Sequence, residues 1–553
     1  MNIKKIMGGK MRINGYQYSI KKFAKDNALL LILLGLVCAL SYGFTITHYS
    51  IGIDNTNFNF YYHQGGLLAQ GRFTTLLINN FISMEGIPFW SNFMGVIILY
   101  SAAVLWCMLL KRVGGEKVST AALIIFAACL VSYPIINESF IYNPWPFSMG
   151  YLLSSISLMF LYELKQNFSV VKSILPVVIM IFMVSLNESF AAVYLCGIFM
   201  ILILEYVTSK GEEQKFWYYF KFFLLSIILL AIAIILEYLI SFILIKILGT
   251  GASGGANNAI EWGTYSLFFT IKSLFIGLLY RYFLAGYWYF PITILVGAYI
   301  LSFVIALVLA IKRKKPIILL LMFGLFLATI TLSIIKGHVT PYRTCSTFAV
   351  FVSFMLMLVW VLMKKKHWTR AVVGVLIVIL ILNQTRVLNG WFVNDYQRYE
   401  HDKEIALDIA NTVEKDFDES KPLVFYGDIA RSPQVKKVAV NGKPFIGWGV
   451  SGGVVPNEHI LLFLEFHGHE FALPSIEQVD AGKALAKSMP EYPNKGYILE
   501  TEGFVLVNLG DSYVWKVSDR EAFMSNSLSK FLVKITGQSK EYIDGQISTA
   551  IKN

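Results

Sequence analysis

Asp54 follows directly on a long apolar run, inside the stretch of residues 48–90 that separates that run from the next. An acid so placed has access to water and can take a proton from an attacking hydroxyl, the work of a general base. The plainer alternative is a helix-end acid in a polar loop. The same stretch holds Arg72, in an aromatic and glycine-rich amphipathic segment, and Glu85, just ahead of a proline. Two further acids, Glu138 and Glu188, sit in a tetrad Asn-Glu-Ser-Phe that occurs at 137–140 and again, with Asn187, at 187–190. Acids at or within membrane helices are costly and mark function by default. These two can bind sugar hydroxyls, orient a cation, share a metal ion, or be satisfied by neighbouring Ser, Asn and backbone groups. A late segment, Lys336-Gly337-His338-Val339-Thr340-Pro341-Tyr342-Arg343, is basic where few cations are expected. Arginine binds phosphate oxygens through two parallel hydrogen bonds, so Arg343, with Lys336, His338, Arg72 and Arg281, reads as a phosphate site. Anionic lipid headgroups would attract the same residues, and His338 would also serve as a structural histidine.

The elements that must hold these residues are membrane helices. The chain is 56% hydrophobic and only 15% charged, against about a quarter charged in soluble domains. Apolar runs of roughly 20 residues, enough to cross a hydrocarbon core of about 30 Å, recur from near residue 28 to near residue 388. They do not alternate apolar and polar residues as a membrane β-barrel would. The net charge of +12 invites a nucleic-acid partner, but the basic residues fall in short loops between spans: Lys111-Arg112, Lys165, Lys312-Arg313-Lys314-Lys315, Lys364-Lys365-Lys366. That is the positive-inside pattern, and no nucleic-acid partner is expected. The fold expected is a polytopic α-helical membrane protein of about eleven transmembrane helices, its N-terminus inside and its C-terminus outside. The long run of residues 173–205 reads as two of these spans meeting at the 187–190 tetrad, and residues 137–146 as a short outer loop.

Three regions follow: a basic cytoplasmic segment 1–26, a membrane region 27–388 with outer loops 48–90 and 249–289, and a soluble region 389–553. In the last, residues 404–417 have helical periodicity, while 422–428, 459–466 and 503–508 read as strands. Alternation of the two suggests a C-terminal extracytoplasmic α/β domain. The five cysteines lie in or at the mouths of apolar runs and lack metal-ligand or disulfide spacing. No Walker loop, dinucleotide fingerprint, zincin motif or nucleophile elbow is present. Nucleotide hydrolysis and a nucleotide-sugar donor are therefore not expected.

One short span, an outer loop with an early acid (Ile53-Asp54), and a downstream Gly71-Arg72-Phe73 before an amphipathic helix resemble the GtrII-type glucosyltransferase family, polytopic enzymes of the GT-C class. Pro341 and Arg343 are a looser match to a late outer loop. The family often has Trp after the Gly-Arg pair, where this chain has Phe73, and here Tyr342 separates Pro341 from Arg343. The resemblance implies a GT-C-like membrane region and a polyprenyl-phosphate sugar donor, often of glucose. It places the reaction on the outer face of a bacterial cytoplasmic membrane, with a cell-surface glycan acceptor such as an O-antigen, a teichoic acid or a wall polysaccharide. The synthase that makes the lipid-linked sugar becomes an expected partner. The first-loop acid acts in such enzymes as base or as part of a metal site, so a divalent cation at Asp54 is left open. Combined with the residues above, the expectation is an inverting transferase. Asp54 would be the base, and Arg343, Arg72, Lys336 and His338 would be on the leaving phosphate. Glu188, Glu138, Asn187 and Glu85 would line the sugar and acceptor pocket. A flippase for lipid-linked glycans or a non-catalytic glycan-assembly protein would share the many spans. The first would add internal pseudo-symmetry and mid-membrane charges; the second would tolerate alanine at Asp54 and Arg343.

Overall fold

A computed structural model describes residues 11–13, 16–18, 20–51, 64–81, 88–166, 168–208, 216–248, 260–279, 290–340, 344–363, 366–427 and 454–510. A short antiparallel pair, β1 (Met11–Ile13) and β2 (Tyr16–Tyr18), precedes α1 (Ile20–Asp26) and α2 (Ala28–Thr47). Then come α3 (Gln64–Ala69), α4 (Phe73–Phe81), α5 (Pro88–Gly114), α6 (Thr120–Ser132), α7 (Ile136–Tyr142) and α8 (Pro144–Gln166). The series continues with α9 (Val170–Val184), α10 (Ser189–Thr208), α11 (Phe216–Leu248), α12 (Leu267–Leu279), α13 (Phe290–Arg313) and α14 (Ile317–Lys336). It closes with α15 (Thr347–Leu362), α16 (His367–Asp416), β3 (Leu423–Tyr426), α17 (Val454–Phe466), α18 (Ile476–Ala486), β4 (Ile498–Glu500) and β5 (Val505–Asn508). The chain divides into two compact units, Met1–Thr47 with Gln64–Gly390, and His48–His63 with Trp391–Asn553.

The first unit is a helical bundle. Among the described residues eight helices (α2, α5, α8, α10, α11, α13, α14 and α16) are long and apolar enough to cross a membrane. Helices α6, α9, α12 and α15 are apolar but shorter. Their outward faces are apolar: Ile32, Ile235, Phe303, Phe323 and Val375 are all exposed. A soluble protein would bury such residues; a lipid solvent accepts them. Inside the bundle, several polar side chains are tied to backbone. Tyr42 donates to the Val131 carbonyl at 2.7 Å, Asn92 to Thr45 at 2.7 Å and Tyr151 to Ser346 at 2.7 Å. In hydrocarbon each such group left open would cost several kcal/mol, of order 4–8.

The run 173–205 is broken as its polar tetrad suggests, α9 ending at Val184 and α10 starting at Ser189. The expected outer loop 137–146 is instead mostly helical. Residues 136–142 form α7, and only Asn143 intervenes before Pro144 opens α8. Proline suits that first helical position, where its missing N–H has no partner to lose, so a Pro-rich stretch is a helix start here rather than a loop. Trp145, in the first turn of α8, is only 5% exposed.

The second unit is built on a three-stranded sheet in the order β3-β5-β4, with β3 parallel and β4 antiparallel to β5. Strand alternation sorts its residues. Leu423, Phe425, Val505 and Val507 face a core shared with α16 and α17, while Val424 and Leu506 face Val479 and Ala486 of α18. Two sequence expectations change. Residues 459–466 belong to α17 and are not a strand. Ile460, Leu461, Leu462, Phe463 and Leu464 are all buried, so the run has no alternation for either period to show. The compositional change near Asn389 is likewise not a helix end, because α16 runs unbroken to Asp416. Its polar half still places Ile405, Ala406, Ile409, Ala410 and Val413 in the core at helical spacing.

Candidate functional site

The Gly71-Arg72 pair is the hinge between two short helices. Gly71 N–H bonds to the Leu68 carbonyl at 2.9 Å and Arg72 N–H to Leu67 at 2.8 Å. With Gly71 at φ +74, this is a Schellman ending of α3, which requires a left-handed residue at that position. The Arg72 carbonyl then accepts from Leu76 N–H at 3.1 Å and opens α4. Glycine is needed for a second reason: a Cβ here would lie 2.5 Å from Glu237 Oε1. Glu237 is the one acid in the 33-residue α11. It is only 8% exposed and is held by Ser241, whose hydroxyl donates to Oε1 at 2.9 Å.

The start of α4 docks on the break between α9 and α10. Thr75 donates to the Leu186 carbonyl at 2.9 Å, and Thr74 shares a hydrogen bond with Ser185. Past the break, Asn187 Oδ1 accepts from Ser189 N–H at 3.0 Å. This is a helix-capping bond, so the amide oxygen of Asn187 is engaged with backbone at the start of α10. Glu188, next in the chain, stands at the positive end of α10, where a carboxylate is favoured. It forms an ion pair with Lys336 Nζ; the lysine side chain is 18% exposed and the glutamate 45%. Glu188 and Glu237 lie within electrostatic reach of one another.

Lys336 is the last residue of α14, which Gly337 closes at φ +76. Its carbonyl accepts from Glu261 N–H at 2.8 Å, and Trp262 Nε1 donates to Ile334 at 2.7 Å. The segment after α11 is thus stapled to the end of α14. His338 follows, its Nδ1 3.8 Å from Glu261 Oε1, too far for a direct hydrogen bond. The hydroxyl of Ser189, next to Glu188 in the chain, meets that of Ser346 at 3.2 Å.

The bundle therefore gathers the backbone of Gly71-Arg72, Asn187, Glu188 and Lys336, with His338 beside Glu261. Asp54, Glu85 and Arg343 lie outside the described residues, as does the side chain of Glu138, whose backbone is in α7. Glu237 and Glu261 were not singled out from the sequence. Glu237 carried a usable signal, since a lone acid in an apolar helix is a functional candidate by default. Glu261 carried none, because its place depends on the backbone bond to Lys336. Among the described residues no group of three or more His, Cys, Asp or Glu side chains is placed to hold a metal ion.

This arrangement can bind an anion. Lys336 has a carboxylate partner that a phosphate could displace, while Glu188 and Glu237 offer acceptors for sugar hydroxyls. The family described as Glucosyl transferase GtrII matches residues 43–360, more than half of the chain. The matched stretch contains every residue of the cluster. No curated protein matches the chain.

Proposed function

The chain belongs to the glucosyl transferase GtrII family, and from that premise we propose a transferase that takes its sugar from a polyprenyl-phosphate carrier and passes it to a cell-surface glycan. That it is a glycosyltransferase with apolar helices able to enter a membrane follows from the family and the fold. The donor, the acceptor and the GT-C mechanism are the proposal. In it, the eight long helices cross the membrane together with α6, α9 and α15. The N-terminal segment 1–26 faces the cytoplasm, and residues 389–553 lie outside.

The step proposed is a single inverting displacement. The acceptor oxygen attacks the anomeric carbon, the bond from that carbon to the phosphate oxygen breaks, and the hydroxyl proton passes to Asp54. Lys336, Arg72, Arg343 and His338 hold the departing polyprenyl phosphate as its charge grows. Glu188, Glu138 and Glu85 contact sugar or acceptor hydroxyls, and Asn187 supports them by capping α10. The observation that carries this reading is the Glu188–Lys336 pair beside the Gly71-Arg72 hinge. It puts an exchangeable cation and two acids together in the segment that defines the family. The test is release of polyprenyl phosphate by purified protein given synthetic polyprenyl-phosphate sugars and glycan acceptors. Asp54→Asn is expected to abolish transfer while leaving folding and membrane insertion intact. Normal turnover in that variant removes Asp54 from the role of base.

A further inference from the structure

The first loop starts in the core of the second unit. Residues 48–51 are held there one after another. The His48 ring meets Tyr396 edge-on at 5.2 Å, Tyr49 packs on Tyr399 at 5.8 Å and Phe466 at 6.4 Å, and Ile51 is 2% exposed. Ser50 donates to Asp395 Oδ2. Arg398 joins the parts: its Nε donates to Asp395 Oδ1 at 3.1 Å, its Nη1 to Asp402 Oδ2 at 2.8 Å, and its Nη2 to the Ile51 carbonyl at 3.0 Å. All three charged residues are at most 5% exposed.

Stability alone does not account for such a cluster. Burying three charges is costly before pairing, and well-packed apolar residues would hold α16 as firmly. What they would not supply is a directed bond to one backbone carbonyl. Pairing at i,i+3 and i,i+4 along α16 fixes the guanidinium plane, and an Nη2 N–H donates to the Ile51 carbonyl. The cluster therefore fixes the register of residues 48–51 rather than merely adding burial. Asp54 is three residues further along, at most ~11 Å of extended chain.

We infer that Arg398 is a positioning residue: through the Ile51 carbonyl, and through Asp395 and Ser50, it anchors the start of the loop that carries Asp54. The second unit thus holds the start of that loop, at residues 48–51. The inference rests on Asp54 being the base.

The test uses the full chain in nanodiscs and two readouts. In Arg398→Lys, which keeps the charge but loses the fork, amide hydrogen exchange of the peptide containing residues 48–51 is expected to quicken, with α2 and α10 unchanged. The same variant is expected to lose kcat on the order of 10- to 100-fold, as for a small misplacement of a reacting group, with the donor KM within about twofold, since donor contacts are untouched. Should Arg398→Lys fail to fold, the triple variant Asp395→Leu, Arg398→Met, Asp402→Leu removes the buried charges together and deletes the same anchors. Unchanged exchange at 48–51 overturns the anchor. Quickened exchange with wild-type kcat overturns its role in the reaction. Asp54→Asn run in parallel keeps the two questions apart, because turnover there removes the base assignment while the exchange result still stands or falls by itself.

Discussion

Gly71→Ala tests the hinge and the placement of Glu237 together. Two costs apply, and they are separable. An L-residue at φ +74 is strained by roughly 1–2 kcal/mol. A Cβ 2.5 Å from Glu237 Oε1 forces that oxygen away. The carboxylate is the end of a flexible side chain and can turn. The oxygen that moves, however, is the one Ser241 donates to at 2.9 Å, so turning loses a hydrogen bond worth about 1 kcal/mol. Gly71→Ala is therefore expected to cost about 2–3 kcal/mol. In a Glu237→Ala background only the backbone strain of about 1–2 kcal/mol remains. The assay is a double-mutant cycle on equilibrium unfolding in mixed micelles, and Gly71→Asn, which tolerates the left-handed region, serves as a third point. A cost for Gly71→Ala that is equal in both backgrounds would refute the contact with Glu237. A cost below about 0.5 kcal/mol in the wild type would refute the left-handed hinge as well.

Lys336→Met removes the cation of the Glu188 pair; if that cation serves the donor phosphate, the donor KM rises about tenfold or more, the worth of one charge-assisted bond. Steady-state kinetics with varied donor reads this out, and an unchanged KM would assign Lys336 to structure alone. In the second unit burial, helped by Lys403, pushes the His467 imidazole down to about 4. Its Nε2 lies 3.3 Å from the Tyr399 hydroxyl, a bond the neutral ring can accept. The folded state therefore binds fewer protons than the unfolded one between pH 4 and the ordinary histidine value of about 6.5. Stability from this group is complete above pH 6.5 and is lost as pH falls toward 4. His467→Asn is expected to flatten that part of the unfolding-midpoint profile, and an identical profile in the variant would discard the assignment.

The hydrophobic pattern by itself decided that this chain is a bundle of membrane helices. Runs such as 28–47 and 317–336 are apolar on every face, and only lipid or helix neighbours can cover them. The pattern also decided where α9 and α10 part, because Asn187-Glu188 cannot continue an apolar helix cheaply. Short motifs carried the family: Gly71-Arg72 was legible because a left-handed helix ending needs glycine, and that need is local. What remained hidden were facts of period and of distance. The run 459–466 was misread because a segment buried all round shows no period. Residues 137–146 were misread because proline and asparagine mark helix starts as well as loops. The meeting of Gly71 with Glu237, 166 positions apart, and of Glu188 with Lys336 depends on how helices pack, which no local pattern encodes. The same holds for Arg398 and Ile51. Nothing in the sequence singled out Asp395, Arg398 and Asp402. Only the tertiary structure buried all three and turned an Nη2 N–H onto the Ile51 carbonyl, because a directed hydrogen bond exists only once both partners have been brought within about 3 Å.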